Sequence, residues 1–372
     1  MKKNAILPLA CLAAILAGCS DAPDDGSADF AKGKAAYEAR DNKGAVKHLA
    51  ASVKLCPTNI EAQTTLAMAS IALGELEAAD RAAKAARELA PDSAEVLLLD
   101  AEVGWMAKDF ARAKSGYSAV ANARQLPKEL RSQAFASRAV VELAENEFDQ
   151  ARISLWRAMR LNPRNAAGWY HLGVLSRDTW KFDDAALQQF EIAAKYLDPS
   201  SDRARDILRN VIPALRDAVS RAAAAKPGVT NRDPGAAAKL ISEGEALVAK
   251  KFITKGIKKF AAAYEADRFS YPAAWKYAKL LAATDKTAAG VDKTLSVYMA
   301  ALDAKPISKE ANLAASRYAI EKKRWATAVK ILNRALAYYP DDKQLLRLYA
   351  DALQATGDTK TSALYKAWIK EL

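Results

Sequence analysis

Apolar residues recur three and four positions apart along nearly the whole chain, and alanine fills many of these positions. No run of alternating β-branched residues is long enough to suggest a sheet. The pattern predicts an all-α chain of tightly packed helices. Prolines at 57, 91, 127, 163 and 199 punctuate it at spacings of 34, 36, 36 and 36 residues. Between successive prolines the small and large apolar residues return in register. The clearest stretch runs from Trp169 to Pro199. Leu172 and Gly173 share one face of a first helix, with Gly173 small enough to let a second helix cross close by. Ala186 is the small residue opposite, Phe190 lies one turn further on, and Pro199 ends the unit. Such a pair cannot bury its own apolar face and implies neighbours.

That order of residues resembles a tetratricopeptide repeat. Earlier units have Gly33, Ala45, Leu49 and Pro57, then Leu66, Ala67, Ala79, Ala83 and Pro91. A third has Ala101, Ala113, Tyr117 and Pro127, and a fourth Ala139, Ala151, Leu155, Ala158 and Pro163. Residues 200–225 break the register with Arg203, Arg205, Arg209, Arg216 and Arg221 in a helix-like segment that Pro213 kinks or restarts. KPGVTNRDPG (226–235) follows as a turn-rich linker. Repeats resume with Gly244, Gly256, Phe260 and Ala263, then from Trp275 to Pro306. An eighth has Ala315, Ala328, Leu332, Ala335 and Pro340, and Leu346, Tyr349, Ala350 and Leu353 start a ninth. Its second helix, Thr359 to Leu372, is more polar and reads as the C-terminal cap. The resemblance implies a superhelical solenoid of eight to nine helix-turn-helix repeats in two arrays, 29–199 and 236–372, joined by a basic capping helix and linker at 200–235.

The first residues suggest an address. Lys2 and Lys3 precede an apolar core from Ala5 to Ala17, too short for a permanent membrane span. Leu16-Ala17-Gly18-Cys19 then matches the lipobox of bacterial lipoproteins. The resemblance implies a signal peptide at 1–18, acylation of Cys19 by palmitate-type chains, and a tether at 19–28. The alternative is an ordinary export signal with a chance cysteine. Ser20, rather than aspartate, favours an outer membrane facing the periplasm if the source is Gram-negative. With Cys11 lost and Cys19 acylated, Cys56 alone remains and reads as a buried structural thiol.

Charge is uneven. Of a formal +12, residues 20–199 hold 23 Lys and Arg against 26 Asp and Glu, and residues 200–372 hold 31 against 18. The two halves are therefore expected to meet different partners, or different parts of one. Repeat alignment places Lys250 and Lys251, then Lys286, then Lys322, Lys323 and Arg324 in the turns inside successive units of the second array. These turns stack in a solenoid, so a basic edge is expected. It is either solvated for solubility or a surface for an anionic lipid, an acidic glycan or an acidic protein face. Nucleic acid is set aside for an exported lipoprotein.

First helices of tetratricopeptide units line a groove. Carried over by position, the resemblance implies Phe30, Tyr37, Met68, Trp105, Met106, Tyr170 and Arg177 as groove candidates, suited to a partner's helix or extended peptide. The other reading packs some of them between repeats. No catalytic set emerges. His48 and His171 form no His-Glu-x-x-His site, and there is no nucleophile elbow, phosphate loop or paired-cysteine spacing. No metal or cofactor is implied. The resemblance extends to outer-membrane tetratricopeptide lipoproteins, which include pilus-assembly, β-barrel-assembly and peptidoglycan-enzyme-recruiting members. The function expected is a lipid-anchored, periplasm-facing scaffold for envelope proteins in assembly or secretion. The alternative is an accessory subunit that binds polysaccharide or another anionic surface through the basic edge.

Overall fold

The computed structural model describes residues 26–224, 232–284 and 287–372, and among these every regular element is helical. The chain folds as two compact units. The first reaches Leu172 and includes Lys195–Leu197; the second comprises Gly173–Ala194 and Asp198–Leu372. The division falls inside the fifth repeat.

In the first unit, helices pair as α1 (Ser27–Glu38) with α2 (Asn42–Leu55), and α3 (Ile60–Leu73) with α4 (Leu76–Leu89). Then come α5 (Ala94–Met106) with α6 (Phe110–Asn122), and α7 (Lys128–Ala144) with α8 (Phe148–Leu161). Each helix packs on the next in sequence, and α1, α3 and α5 also touch one another as an inner layer of first helices. Small residues set these crossings. Ala45, Ala79, Ala113 and Ala151 are fully buried. A Cβ on Gly116 would lie 2.7 Å from the Leu97 carbonyl oxygen, so glycine is what lets α6 approach α5. Large side chains fill the remaining space: Tyr117 and Leu155 have no exposed surface, each burial contributing about 1.5–3 kcal/mol.

The fifth repeat begins with α9 (Ala166–Val174), which ends in a π turn at Leu175–Thr179 before α10 (Asp183–Tyr196). The π turn has a reason in the sequence. Twelve positions separate Ala139 from Ala151 in the fourth repeat, but thirteen separate Gly173 from Ala186. A π turn absorbs one extra residue without breaking the helix, so Gly173 still faces the Phe190 ring, with a built Cβ at 3.1 Å. The basic segment forms α11 (Asp202–Asp206), a second π turn at Ile207–Val211, and α12 (Ile212–Ala224). Pro213 thus lies inside one unbroken helical run, two residues after the π turn that widens the helix ahead of it.

The second array pairs α13 (Pro234–Ala249) with α14 (Ile253–Ala266), α15 (Tyr271–Thr284) with α16 (Ala288–Ala304), α17 (Lys309–Glu321) with α18 (Trp325–Leu336), and α19 (Lys343–Ala355) with α20 (Thr359–Glu371). Of the linker, 226–231 lie outside the described residues. Its end is fixed: Asp233 accepts from the Ala236 N–H to cap α13, and Pro234 takes the first helical position. Arg232 holds Asp267 with two hydrogen bonds, at 2.9 and 3.1 Å. The final helix is less polar than expected on its inner face, where Tyr365 and Trp368 are buried.

One bond recurs where repeats join. The side chain six residues past the proline donates to that proline's carbonyl: Gln63 to Pro57, Trp169 to Pro163 and Asn312 to Pro306. It satisfies a carbonyl that the chain reversal would leave unpaired.

Candidate functional site

The turns inside the repeats share one geometry. In each, a residue at positive φ ends the first helix: Arg40, Gly74, Lys108, Asn146, Lys181, Lys251, Lys323 and Gly357. After Lys181 the following N–H reaches back six residues, from Phe182 to Ser176. In the other seven of these eight described turns it reaches back five residues to a carbonyl, as Asp41 to Ala36, Phe252 to Leu247 and Asp358 to Leu353. That is the Schellman closure, which normally favours glycine. Here lysine takes the left-handed position four times, at Lys108, Lys181, Lys251 and Lys323.

The basic edge sits on these turns. Lys250, Lys251, Lys323 and Arg324 are exposed. Lys322 is half-buried, paired with Glu321 at 2.8 Å and set 5.4 Å from the Tyr318 ring centre. Its amine is held above the ordinary lysine range, chiefly by the Glu321 hydrogen bond. Arg324 is paired with Asp292 at 2.9 Å. Two of the six expected cations therefore carry a carboxylate with them, which sequence alignment of the turns could not reveal. Lys286 lies outside the described residues.

The groove candidates of the first unit are half-buried. Phe30, Tyr37 and Met68 pack against one core cluster built on Leu49, Leu66 and Ala83. Trp105 packs against the next, with its ring centre 5.8 Å from that of Phe110. Burial pushes the Tyr37 hydroxyl up. Met106 ends α5 and Tyr170 stands edge-on to His171 at 5.0 Å. In the second unit Arg177 is occupied locally: it binds Asp178 twice and lies 5.4 Å from the Phe190 ring centre.

A concavity appears where sequence reasoning did not look for one. In the second unit a cavity of about 510 Å³ is lined by Glu245, Val248, Ala249, Phe260, Trp275, Lys276, Lys279 and Leu280. Three of these come from α13, one from α14 and four from α15. Counted from Gly244 and Ala278, the small residues of their helices, Glu245, Val248, Ala249, Trp275 and Lys279 occupy the groove positions. The floor is apolar. The rim carries Lys276 bonded to Glu245, and Lys279 over the Trp275 ring at 5.1 Å. The positional rule applied to the first array would have found these residues had it been applied to the second.

Cys56 is disulfide-bonded in the full-length chain, which still holds Cys11 and Cys19; the free buried thiol anticipated belongs to the chain after Cys11 is cleaved away and Cys19 acylated. His48 is within 3.0 Å of Asp29. Among the described residues no cluster of His, Cys, Asp and Glu could hold a metal ion, and no helix is long and apolar enough to cross a membrane. Cys19 and the signal segment lie outside the described residues.

Paired helices, small residues at the crossings and Schellman-type turns inside the described pairs make up the solenoid fold of tetratricopeptide repeats. The tetratricopeptide-repeat family profile matches residues 137–202 and 313–371, one stretch in each half. Repeats of this class are generally non-catalytic scaffolds for protein interaction. No curated protein matches the chain. Among solved structures it is similar to PilF of Pseudomonas aeruginosa, at 17% identity over 54% of this chain and 93% of that one, with a TM-score of 0.42. It is similar to MamA of Desulfovibrio magneticus RS-1, at 15% over 46% and 95%, TM-score 0.42. PilW, described as a widely conserved type IV pilus biogenesis factor, aligns at 14% over 56% and 98%, TM-score 0.43.

Proposed function

We propose that this chain is a lipid-anchored scaffold that faces the periplasm and holds a peptide segment of an envelope protein, in assembly or secretion. Cys19 in its lipobox supports the anchor, and acylation there localises the repeats. The observation that carries the binding role is the 510 Å³ cavity at the groove positions of the sixth and seventh repeats. Its apolar floor suits an aliphatic or aromatic side chain, and its paired rim charges suit the polar backbone on either side. Ala249 is exposed at the mouth, so Ala249→Arg fills the cavity without disturbing the floor.

The test is crosslinked affinity capture of the acylated protein, washed at low and high salt. Proteins retained at high salt and lost with Ala249→Arg support the scaffold; retention unchanged by Ala249→Arg refutes this cavity as the site. Trp105→Ala measures the first-array groove in the same assay. The anchor has its own test, because Cys56 bears on it. An acylated Cys19 has no thiol to give, and Cys11 leaves with the signal, so the mature lipoprotein requires Cys56 to be free. Mass spectrometry that finds a diacylglyceryl Cys19 and a free Cys56 supports the anchor. A disulfide joining Cys56 to Cys19 refutes it.

A further inference from the structure

The turn that opens α14 lacks the carboxylate cap that three of its counterparts carry. In the first, third and ninth repeats the residue before the second helix is an aspartate. Its carboxylate accepts from the N–H three residues on: Asp41 from Gly44, Asp109 from Arg112, and Asp358 from Thr361. The second, fourth and eighth repeats place Glu75, Glu147 and Arg324 there without a side-chain cap, and the fifth places a half-buried Phe182. The sixth places Phe252, which makes no capping hydrogen bond and is 52% exposed. Phenylalanine at this position forgoes the cap and leaves a ring in water, and neither stabilises the fold. The exposed ring brings the fold no gain and is left available to a partner.

Its neighbours say which partner. Lys250 and Lys251 precede it and are exposed, and Lys251 accepts a φ of 63° that lysine adopts only at a cost. Lys255, one turn into α14 and also exposed, holds its amine 5.4 Å from the Phe252 ring centre. On the corresponding turn of the eighth repeat Lys323 is exposed and left-handed as well. The surrounding half of the chain, residues 200–372, holds 31 basic residues against 18 acidic.

We propose that this turn is a docking tip for an anionic lipid bilayer. Phe252 enters the interfacial layer, and Lys250, Lys251 and Lys255 lie among the headgroup phosphates. The exposed ring is what selects a bilayer over a soluble polyanion. A soluble polar polyanion such as polyglutamate satisfies the lysines and leaves the ring in water, whereas a bilayer takes both the charge and the ring. The proposal goes beyond the scaffold reading and does not rest on the acyl anchor.

Flotation with vesicles tests it. The full chain carries Cys19→Ser, so that no acyl group is added. Vesicles of phosphatidylcholine containing phosphatidylglycerol are compared with vesicles of phosphatidylcholine alone. Any membrane contact made elsewhere in the chain is common to all variants. Binding is expected to require the anionic lipid and to fall about fivefold for each of Lys250, Lys251 and Lys255 changed to Gln. Phe252→Ser is the decisive variant, because serine is a good cap and carries no charge. It is expected to weaken vesicle binding about tenfold while raising the thermal midpoint. The proposal is overturned if Phe252→Ser binds vesicles as well as the parent, or if it lowers the midpoint and so reveals a packing role. A difference between the parent and Phe252→Ser that is as large on neutral vesicles as on anionic ones, or competition by soluble polyglutamate as strong as that by anionic vesicles, overturns it too.

Discussion

The turn geometry makes a quantitative prediction at Gly357. This residue closes α19 at φ 90°, and a Cβ built on it meets nothing within 4 Å. Gly357→Ala therefore introduces no clash and isolates the backbone cost. A left-handed alanine costs roughly 1–2 kcal/mol, and alanine returns about 0.4–1 kcal/mol by restricting the unfolded chain. The net loss is about 1 kcal/mol. It falls on the pair in which α20 packs, among the described helices, on α19, so it acts on local opening of α20 before global unfolding. Hydrogen exchange read on amides of Ser362 to Trp368 is the assay. Their exchange is expected to quicken about fivefold, the factor equivalent to 1 kcal/mol, with amides of α5 and α6 unchanged. The mirror experiment is Lys323→Gly, where φ is 56°. It is expected to stabilise α17 and α18 by about 1 kcal/mol on the same arithmetic. Unchanged α20 exchange in Gly357→Ala, or destabilisation by Lys323→Gly, would show that the turns do not store this strain.

Three further outcomes follow from packing and charge. Gly116→Ala should cost about 1–3 kcal/mol in urea unfolding, because its Cβ would press on the Leu97 carbonyl at 2.7 Å and on Ala101 at 2.8 Å; Gly173→Ala, against a ring at 3.1 Å, should cost less. Tyr117 is fully buried and donates to Glu102 at 2.8 Å. Tyr117→Phe should cost about 1–3 kcal/mol by removing that donor from a buried carboxylate, and loss of the urea midpoint relative to Tyr37→Phe measures it. In the second unit Arg334 bonds both Asp184 and Asp303, at 2.9 and 2.8 Å. Burial pushes the Asp184 carboxyl up, but the Arg334 charge and hydrogen bonds from Arg334 and Tyr338 outweigh it and hold the group below its ordinary 3.8. A carboxyl so depressed contributes stability above its unfolded value that is lost as pH falls through its folded one. Asp184→Asn should flatten the acid limb of the urea midpoint below about pH 4, and an unaltered limb would refute the assignment.

The repeat grammar was readable because it is local. Proline at 57, 91, 163 and 199, small residues at Ala45, Ala79, Ala113 and Ala151, and the period between them place the helices and their crossings without any long-range information. The turn lysines were readable for the same reason. Their charge state was not: Lys322 meets its own neighbour Glu321, but Arg324 meets Asp292 from the preceding repeat, 32 residues away. The extra residue before Ala186 was countable, yet nothing in the count said that a π turn would absorb it. The cavity residues were each visible, but Glu245 and Trp275 become one site only when α13 packs on α15.

Periodicity and composition within about 36 residues are enough to set the class of fold, the phase of the repeats and the basic bias of the second half. Tertiary structure decided which of those charges are neutralised, where a concave surface forms and which apolar residue stays in water. Those depend on what the neighbouring helix brings to the contact. Phe252 shows the difference: in the sequence it is one more aromatic beside a helix, and only the packed turn leaves its ring uncovered among three lysines.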